Sequence, residues 1–145
     1  MLEEKLDKVV LKKLKIKSKI KADLSSWKKF VFNLKNPKNE VNIGLIGKYV
    51  ELQDSYKSIL ESFIHAGSVN SVKVNVQPIH SESIDKTNVK SLMSNLDGVL
   101  VAPGFGERGI EGKIISIEYA RVNNIPFLGI CLGMQMAVIE YARNV

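Results

Sequence analysis

From residue 41 onward, short apolar runs alternate with longer amphipathic ones, and this restricts the fold more than any other feature of the chain. Residues 41–46 form an apolar run closed by Gly47. Asp54 offers a helix cap, and Tyr56, Ile59, Leu60 and Phe63 follow at helical spacing, with Gly67 as the expected stop. Val72, Val74 and Val76 alternate with polar residues, as in a half-buried strand. A short helix is expected over 87–94, a third strand over 98–102, a helix over 111–123, a fourth strand over 125–130 and a last helix over 132–143. Pro126 falls at the start of its strand, where the missing N–H is tolerated. The alternation predicts an α/β fold: an open, mostly parallel sheet with helices on both faces. Ligands of such sheets bind beyond the carboxyl ends of the strands. The loops 47–54, 103–111 and 129–133 are therefore the places where chemistry is expected.

The first 38 residues follow a different pattern. Leu2, Leu6, Val10 and Leu14 recur every fourth residue, which predicts a helix over 2–16. Trp27, Phe30, Val31 and Leu34 predict a second over 25–35, capped by Asp23 or Ser25. Asn36-Pro37-Lys38-Asn39 ends it, dividing a helical segment, 1–38, from an α/β unit, 39–145. Charge divides the same way. Residues 1–35 carry eleven lysines against four acids, a net +7, whereas the remainder carries ten basic and eleven acidic groups, a net −1. Such a basic segment is either a nucleic-acid or membrane contact or a solvated helix face. The lack of arginine clusters favours the solvated face, so neither nucleic acid nor membrane is expected as a partner.

Other function classes are excluded by composition. No apolar run approaches the roughly 20 residues that span a bilayer, and the opening Met-Leu-Glu-Glu-Lys is not an apolar signal segment. A single cysteine, Cys131, permits no internal disulfide and suits a reducing, cytoplasmic setting.

That cysteine lies in Gly129-Ile130-Cys131-Leu132-Gly133, between the fourth strand and the last helix. Small residues two before and two after a central residue let a strand turn abruptly into a helix, leaving the central side chain exposed on a strained backbone. A thiol there sits at a helix N-terminus, whose dipole favours the thiolate. The N–H of Leu132 is free to meet a developing oxyanion. A small buried hydrophobe is the alternative for a lone cysteine. Ahead of it, Pro103-Gly104-Phe105-Gly106-Glu107-Arg108-Gly109 follows the third strand and exposes backbone donors, of which Gly104 is the best placed for a second oxyanion contact. A phosphate loop is the rival reading, but the spacing matches neither Gly-Lys-Ser/Thr nor Gly-x-Gly-x-x-Gly. An ordinary turn remains open.

Four segments carry a family resemblance. Val41-Asn-Ile-Gly-Leu-Ile-Gly-Lys-Tyr-Val-Glu-Leu-Gln-Asp-Ser-Tyr-Lys resembles the opening of the glutaminase domain of the CTP synthase family. Gly104-Phe-Gly-Glu-Arg-Gly-Ile-Glu-Gly-Lys113 resembles that family's oxyanion loop and lid, and Asn124-Ile-Pro-Phe-Leu-Gly-Ile-Cys-Leu-Gly-Met-Gln135 its nucleophile segment. Ala22-Asp-Leu-Ser-Ser-Trp27 is similar to its interdomain linker. The resemblance implies a class I amidotransferase fold, flavodoxin-like, with Cys131 as nucleophile and Gly104 and Leu132 as oxyanion donors. Gly104, Leu132, Gly133, Met134 and Gln135 would contact L-glutamine. Lys48, Lys57, Arg108, Gly109 and Glu111 would couple the activator GTP to the glutaminase site.

The family makes CTP from UTP with ATP and glutamine-derived ammonia, as a homotetramer. Its ATP, UTP and magnesium sites lie in an amidoligase domain outside this sequence, so the chain is expected to hold no cofactor or metal of its own. Family members also continue past the nucleophile helix into a region carrying the His and Glu of the triad. The chain is accordingly expected to be an α/β domain incomplete at its C-terminus, with little activity alone. His65 and His80 both precede Cys131, the wrong order for the family's base. Two alternatives stay open: another class I amidotransferase, or a non-catalytic module that associates with the full-length synthase. The oxyanion loop also departs from the family's common Pro-Gly-Gly, with one glycine before Phe105.

Overall fold

The computed structural model describes residues 4–17 and 22–145. Two helices lead, α1 (Leu6–Lys13) and α2 (Ser25–Lys35). Then come β1 (Asn39–Gly47), a 3-10 turn (Gln53–Tyr56), α3 (Lys57–Asn70), β2 (Val72–His80), a second 3-10 turn (Ser81–Ser83) and α4 (Val89–Met93). The chain finishes with β3 (Gly98–Val101), α5 (Ile110–Val122), β4 (Phe127–Gly129) and α6 (Leu132–Asn144). The helix start expected at residue 2 lies outside the described residues.

The four strands form one sheet in the order β2-β1-β3-β4, with every pairing parallel. Chain order reverses between β1 and β3. A sheet of this kind opens a crevice there, between the loops that leave the two strands. Alternate residues of each strand feed opposite faces. Ile46, Val99 and Val101 pack with Met93, Ile114, Ile117 and Met136 from α4, α5 and α6. Leu45, Leu100 and Ala102 pack on the other side with Tyr56, Ile59, Leu60 and Phe63. Each fully buried aliphatic or aromatic side chain of this kind contributes about 1.5–3 kcal/mol.

Several local expectations are corrected. Gly67 does not stop α3, which runs three residues further and ends at Ser71, a residue at φ 55°. Gly67 is instead buried under the strand that follows: a Cβ there would lie 2.5 Å from the Val72 carbonyl oxygen. Asp54 makes no capping hydrogen bond; it lies in the 3-10 turn, and Tyr56 occupies the cap position of α3. At α2 it is Asp23 that answers a terminal donor, accepting the Ser25 N–H at 2.9 Å. β4 is shorter than expected, because Pro126 contributes only its carbonyl, which accepts the Val99 N–H at 2.8 Å.

Helix α2 rests on α3. Phe30 meets the His65 ring at 5.1 Å, Asn33 Nδ2 donates to the Ser68 carbonyl at 2.9 Å, and Ser68 Oγ donates to the Phe30 carbonyl at 2.8 Å. The last two helices are clasped by an ion pair. Glu140, 1% exposed, accepts two hydrogen bonds from Arg121 Nε and one from Arg121 Nη2 at 2.7–3.2 Å. The Arg121 hydrogen bonds hold the Glu140 carboxyl below the usual carboxylate range, with a smaller contribution from Asn144.

Candidate active site

Cys131 stands at the head of α6 with φ 51° and ψ −107°, a backbone conformation that L-residues other than glycine rarely adopt. The thiol is free and exposed. The glycines on either side explain how the chain reaches this shape. A Cβ at Gly133 would lie 2.2 Å from the Val101 carbonyl oxygen, and one at Gly129 would lie 2.6 Å from the Gly133 carbonyl carbon. α6 therefore starts pressed against the ends of β3 and β4, and only hydrogen fits in the gaps. The Gly133 N–H donates to the Ile130 carbonyl at 2.9 Å and the Gln135 N–H to the Cys131 carbonyl at 3.1 Å, closing the first turn. Met134 and Gln135 are exposed on that turn.

The loop after β3 faces this turn. A Cβ built on Gly104 would lie 3.7 Å from Leu132 Cδ2, so the two segments are neighbours. Among the described residues, neither the Gly104 nor the Leu132 N–H donates to a backbone acceptor. Both amides remain available beside Cys131.

Two lysines fix the loop from behind. Lys113 of α5 is completely buried, and its Nζ donates to the Ala102 carbonyl at 2.9 Å. Lys48, in the loop after β1 and 6% exposed, donates its Nζ to the Phe105 carbonyl. The Lys48 backbone N–H in turn donates to Tyr56 Oη at 3.2 Å. Burial pushes the Lys113 ammonium below the usual lysine range, the nearby Lys48 charge adds to that, and Cys131 acts in the opposite direction.

Further along the loop, Gly106 and Gly109 both take φ 74°. Gly109 also packs on Ser81: a Cβ there would lie 2.2 Å from Ser81 Oγ, a buried hydroxyl with no hydrogen-bond partner among the described residues. Arg108 is held outward by Glu82 at 3.3 Å and lies 5.9 Å from the Tyr49 ring centre.

The other expected site residues are dispersed. Lys57 opens α3 as an exposed residue whose side chain makes no hydrogen bond or ion pair among the described residues, while its backbone N–H donates to the Asp54 carbonyl. Glu111 is exposed and paired with Arg143 at 3.1 Å. Of the group expected to couple GTP, Lys48 bonds the 103–109 loop from outside it. His80 pairs with Glu51 at 3.6 Å and accepts the Glu82 N–H through Nδ1, while His65 belongs to the α2–α3 contact. Neither imidazole is engaged with Cys131. Among the described residues no group of three His, Cys, Asp or Glu is placed to hold a metal ion, and no helix is long and apolar enough to cross a membrane. Lys113 was not singled out from the sequence, although a signal existed. It lies three residues after Ile110 and four before Ile117, on the stripe that helical periodicity assigns to the core.

Comparison with known proteins agrees with this geometry. Residues 51–145 match the family described as glutamine amidotransferase class-I. The whole chain is 67% identical to a CTP synthase of Flavobacterium psychrophilum and 63% identical to one of Cytophaga hutchinsonii, and it covers 27% of each. A CTP synthase of Methanocaldococcus jannaschii is 54% identical over 99% of the chain, again across 27% of the relative. The chain thus spans about a quarter of the length of the curated relatives it matches. Among solved structures, the glutaminase domain of Trypanosoma brucei CTPS with bound acivicin superposes with a TM-score of 0.68 at 38% identity, over 72% of this chain and 41% of that one. With its elbow, its parallel sheet and its sequence in agreement, the chain belongs to the class I glutamine amidotransferase family, in the part that corresponds to the glutaminase region of CTP synthases.

Proposed function

We propose that Cys131 is the nucleophile that releases ammonia from L-glutamine for the amination of UTP to CTP. The thiolate attacks the carboxamide carbon, and the carbonyl oxygen becomes an oxyanion met by the N–H groups of Gly104 and Leu132. The C–N bond then breaks, the nitrogen leaves with an added proton as ammonia, and a thioester remains on Cys131. Water cleaves that thioester to glutamate and regenerates the thiol. The observation that carries this reading is the conjunction of a strained, exposed Cys131 at the head of α6 with two unpaired amides beside it. The relatives' identity as CTP synthases supports the destination of the ammonia. Gly133, Met134 and Gln135, in the first turn of α6, would frame the bound glutamine.

Proton transfer to the leaving nitrogen needs a group within hydrogen-bond reach. His65 and His80 are both engaged elsewhere. Residues 1–145 alone are therefore expected to form the covalent adduct far better than they turn over. The amidoligase partner, ATP, magnesium, the GTP activator and the tetramer belong to the same proposal and rest on the relatives alone. For GTP, Lys48 is already committed to Phe105, which leaves Arg108 as the exposed member of the expected group within the 103–109 loop.

The test is mass spectrometry after exposure to a diazo-ketone analogue of glutamine. A stoichiometric adduct on Cys131 is expected, blocked by Cys131→Ala. Labelling no faster than that of free cysteine would sink the proposal.

A further inference from the structure

The 103–109 loop carries a proposed oxyanion donor but lies outside regular secondary structure, so something must keep its Gly104 peptide aimed. Two ammonium groups approach it from different elements. Lys113 comes from α5 and bonds the carbonyl of Ala102; Lys48 comes from the loop after β1 and bonds the carbonyl of Phe105. The two carbonyls bracket Pro103-Gly104. Both lysines are buried, at 0% and 6% exposure, so solvent hardly competes for either bond. A Cβ on Gly104 would lie 3.6 Å from Lys113 Nζ and 3.5 Å from Lys48 Cε, which places both side chains directly behind the peptide.

The geometry points to Lys113 and Lys48 as a two-sided clamp, positioning residues that hold the Gly104 amide towards Cys131 by pinning the carbonyls before and after it. The catalytic part of this inference rests on the proposed role of Cys131; the structural part does not. Keeping two like charges together out of water is costly. A hydrocarbon of the same length would fill the space at lower cost, so the ammonium groups are doing something that packing alone does not require. Hydrogen bonds from charged donors are also stronger than neutral ones and fix a carbonyl's orientation more firmly. From the head of α6, Cys131 favours the charged form of Lys113, opposing the effects of burial and of Lys48.

Limited proteolysis of the purified chain tests the clamp without any need for turnover. In Lys113→Met, which keeps the volume but not the donor, cleavage after Arg108 by an arginine-specific protease is expected to accelerate about tenfold, with cleavage after Arg121 unchanged. Lys113→Gln, which still offers a donor to Ala102, should fall between Met and the parent. Lys48→Met should loosen the same segment and decides the matter if Lys113→Met does not fold. Unchanged cleavage after Arg108, or equal acceleration after Arg108 and Arg121, would overturn the clamp. The catalytic part is read from two labelling rates at Cys131. The ratio of diazo-ketone to iodoacetamide labelling should drop about tenfold in Lys113→Met, because only the ketone oxygen needs the Gly104 amide. An unchanged ratio would refute it. If the parent chain itself shows no preference for the glutamine analogue, the proposed role of Cys131 and the catalytic part fall together, and the proteolysis data still decide the clamp.

Discussion

Two loops leave adjacent strands and meet at the candidate site, and they are held by opposite means. The elbow after β4 is set by exclusion: Gly129 and Gly133 touch backbone so closely that no side chain fits, and Cys131 is forced to φ 51°. The loop after β3 is set by attachment. It contains glycines in open space, such as Gly106 with nothing within 4 Å of an added Cβ, and its shape is imposed by Lys48 and Lys113 reaching in from elsewhere. One loop is rigid because of what it lacks, the other because of what its neighbours supply. A nucleophile suits the first kind of support, since its position must survive attack and release. A donor loop suits the second, since it can be tuned by residues outside it.

The sharpest way to break the contrast is to fill the elbow. Gly133→Val drives a branched side chain into the Val101 carbonyl, and a loss of at least about 3 kcal/mol in urea unfolding is expected, with no analogue labelling. A tolerated valine would show that the elbow is not set by exclusion.

Next in size is Arg121→Ala, which leaves the Glu140 carboxylate buried without its partner and loosens the base on which α6 stands. In the parent chain the Glu140 pKa is lowered, so its contribution is complete above the unfolded carboxylate value and fades as pH falls through the folded one. The thermal midpoint of Arg121→Ala should therefore lie well below the parent's at neutral pH and converge with it in acid. A pH-independent gap would mean that lost packing, rather than the ion pair, carries the effect.

Within the attached loop the two glycines at φ 74° separate strain from contact. Gly106→Ala has free space and should cost about 1 kcal/mol for backbone strain alone. Gly109→Ala must also displace Ser81 Oγ and should cost about 2 kcal/mol. Equal losses would show that the Ser81 contact is soft. The smallest effect has the opposite sign. Cys131→Gly relieves the strained φ and should stabilise the chain by about 1 kcal/mol while abolishing labelling. A destabilised glycine variant would remove strain from the description of the elbow.

The same contrast explains how much could be read from the sequence. The elbow was legible because exclusion leaves its mark locally: Gly129 and Gly133 stand two residues from Cys131 and between an apolar strand and a helix. The parallel sheet was legible for a similar reason, since the strand and helix periods of residues 41–144 alternate. The attachment of the 103–109 loop was not, because Lys48 lies 57 residues from the carbonyl it holds, and a lysine reads as solvated until its surroundings are known. Gly67 misled in the other direction. Its place near the end of a helical pattern suggested a stop, whereas a tertiary contact with Val72 is what demands glycine there. Lys57 and Glu111, expected at the site from resemblance alone, lie exposed, and Glu111 pairs with Arg143.

The central claim is that Cys131, Gly104 and Leu132 form a preorganised glutamine site. Its most direct test is the concentration dependence of diazo-ketone labelling at Cys131, with and without L-glutamine. Saturating kinetics with protection by L-glutamine, but not by L-glutamate at the same concentration, is the predicted result. Labelling that rises linearly with reagent and is indifferent to glutamine would contradict the account.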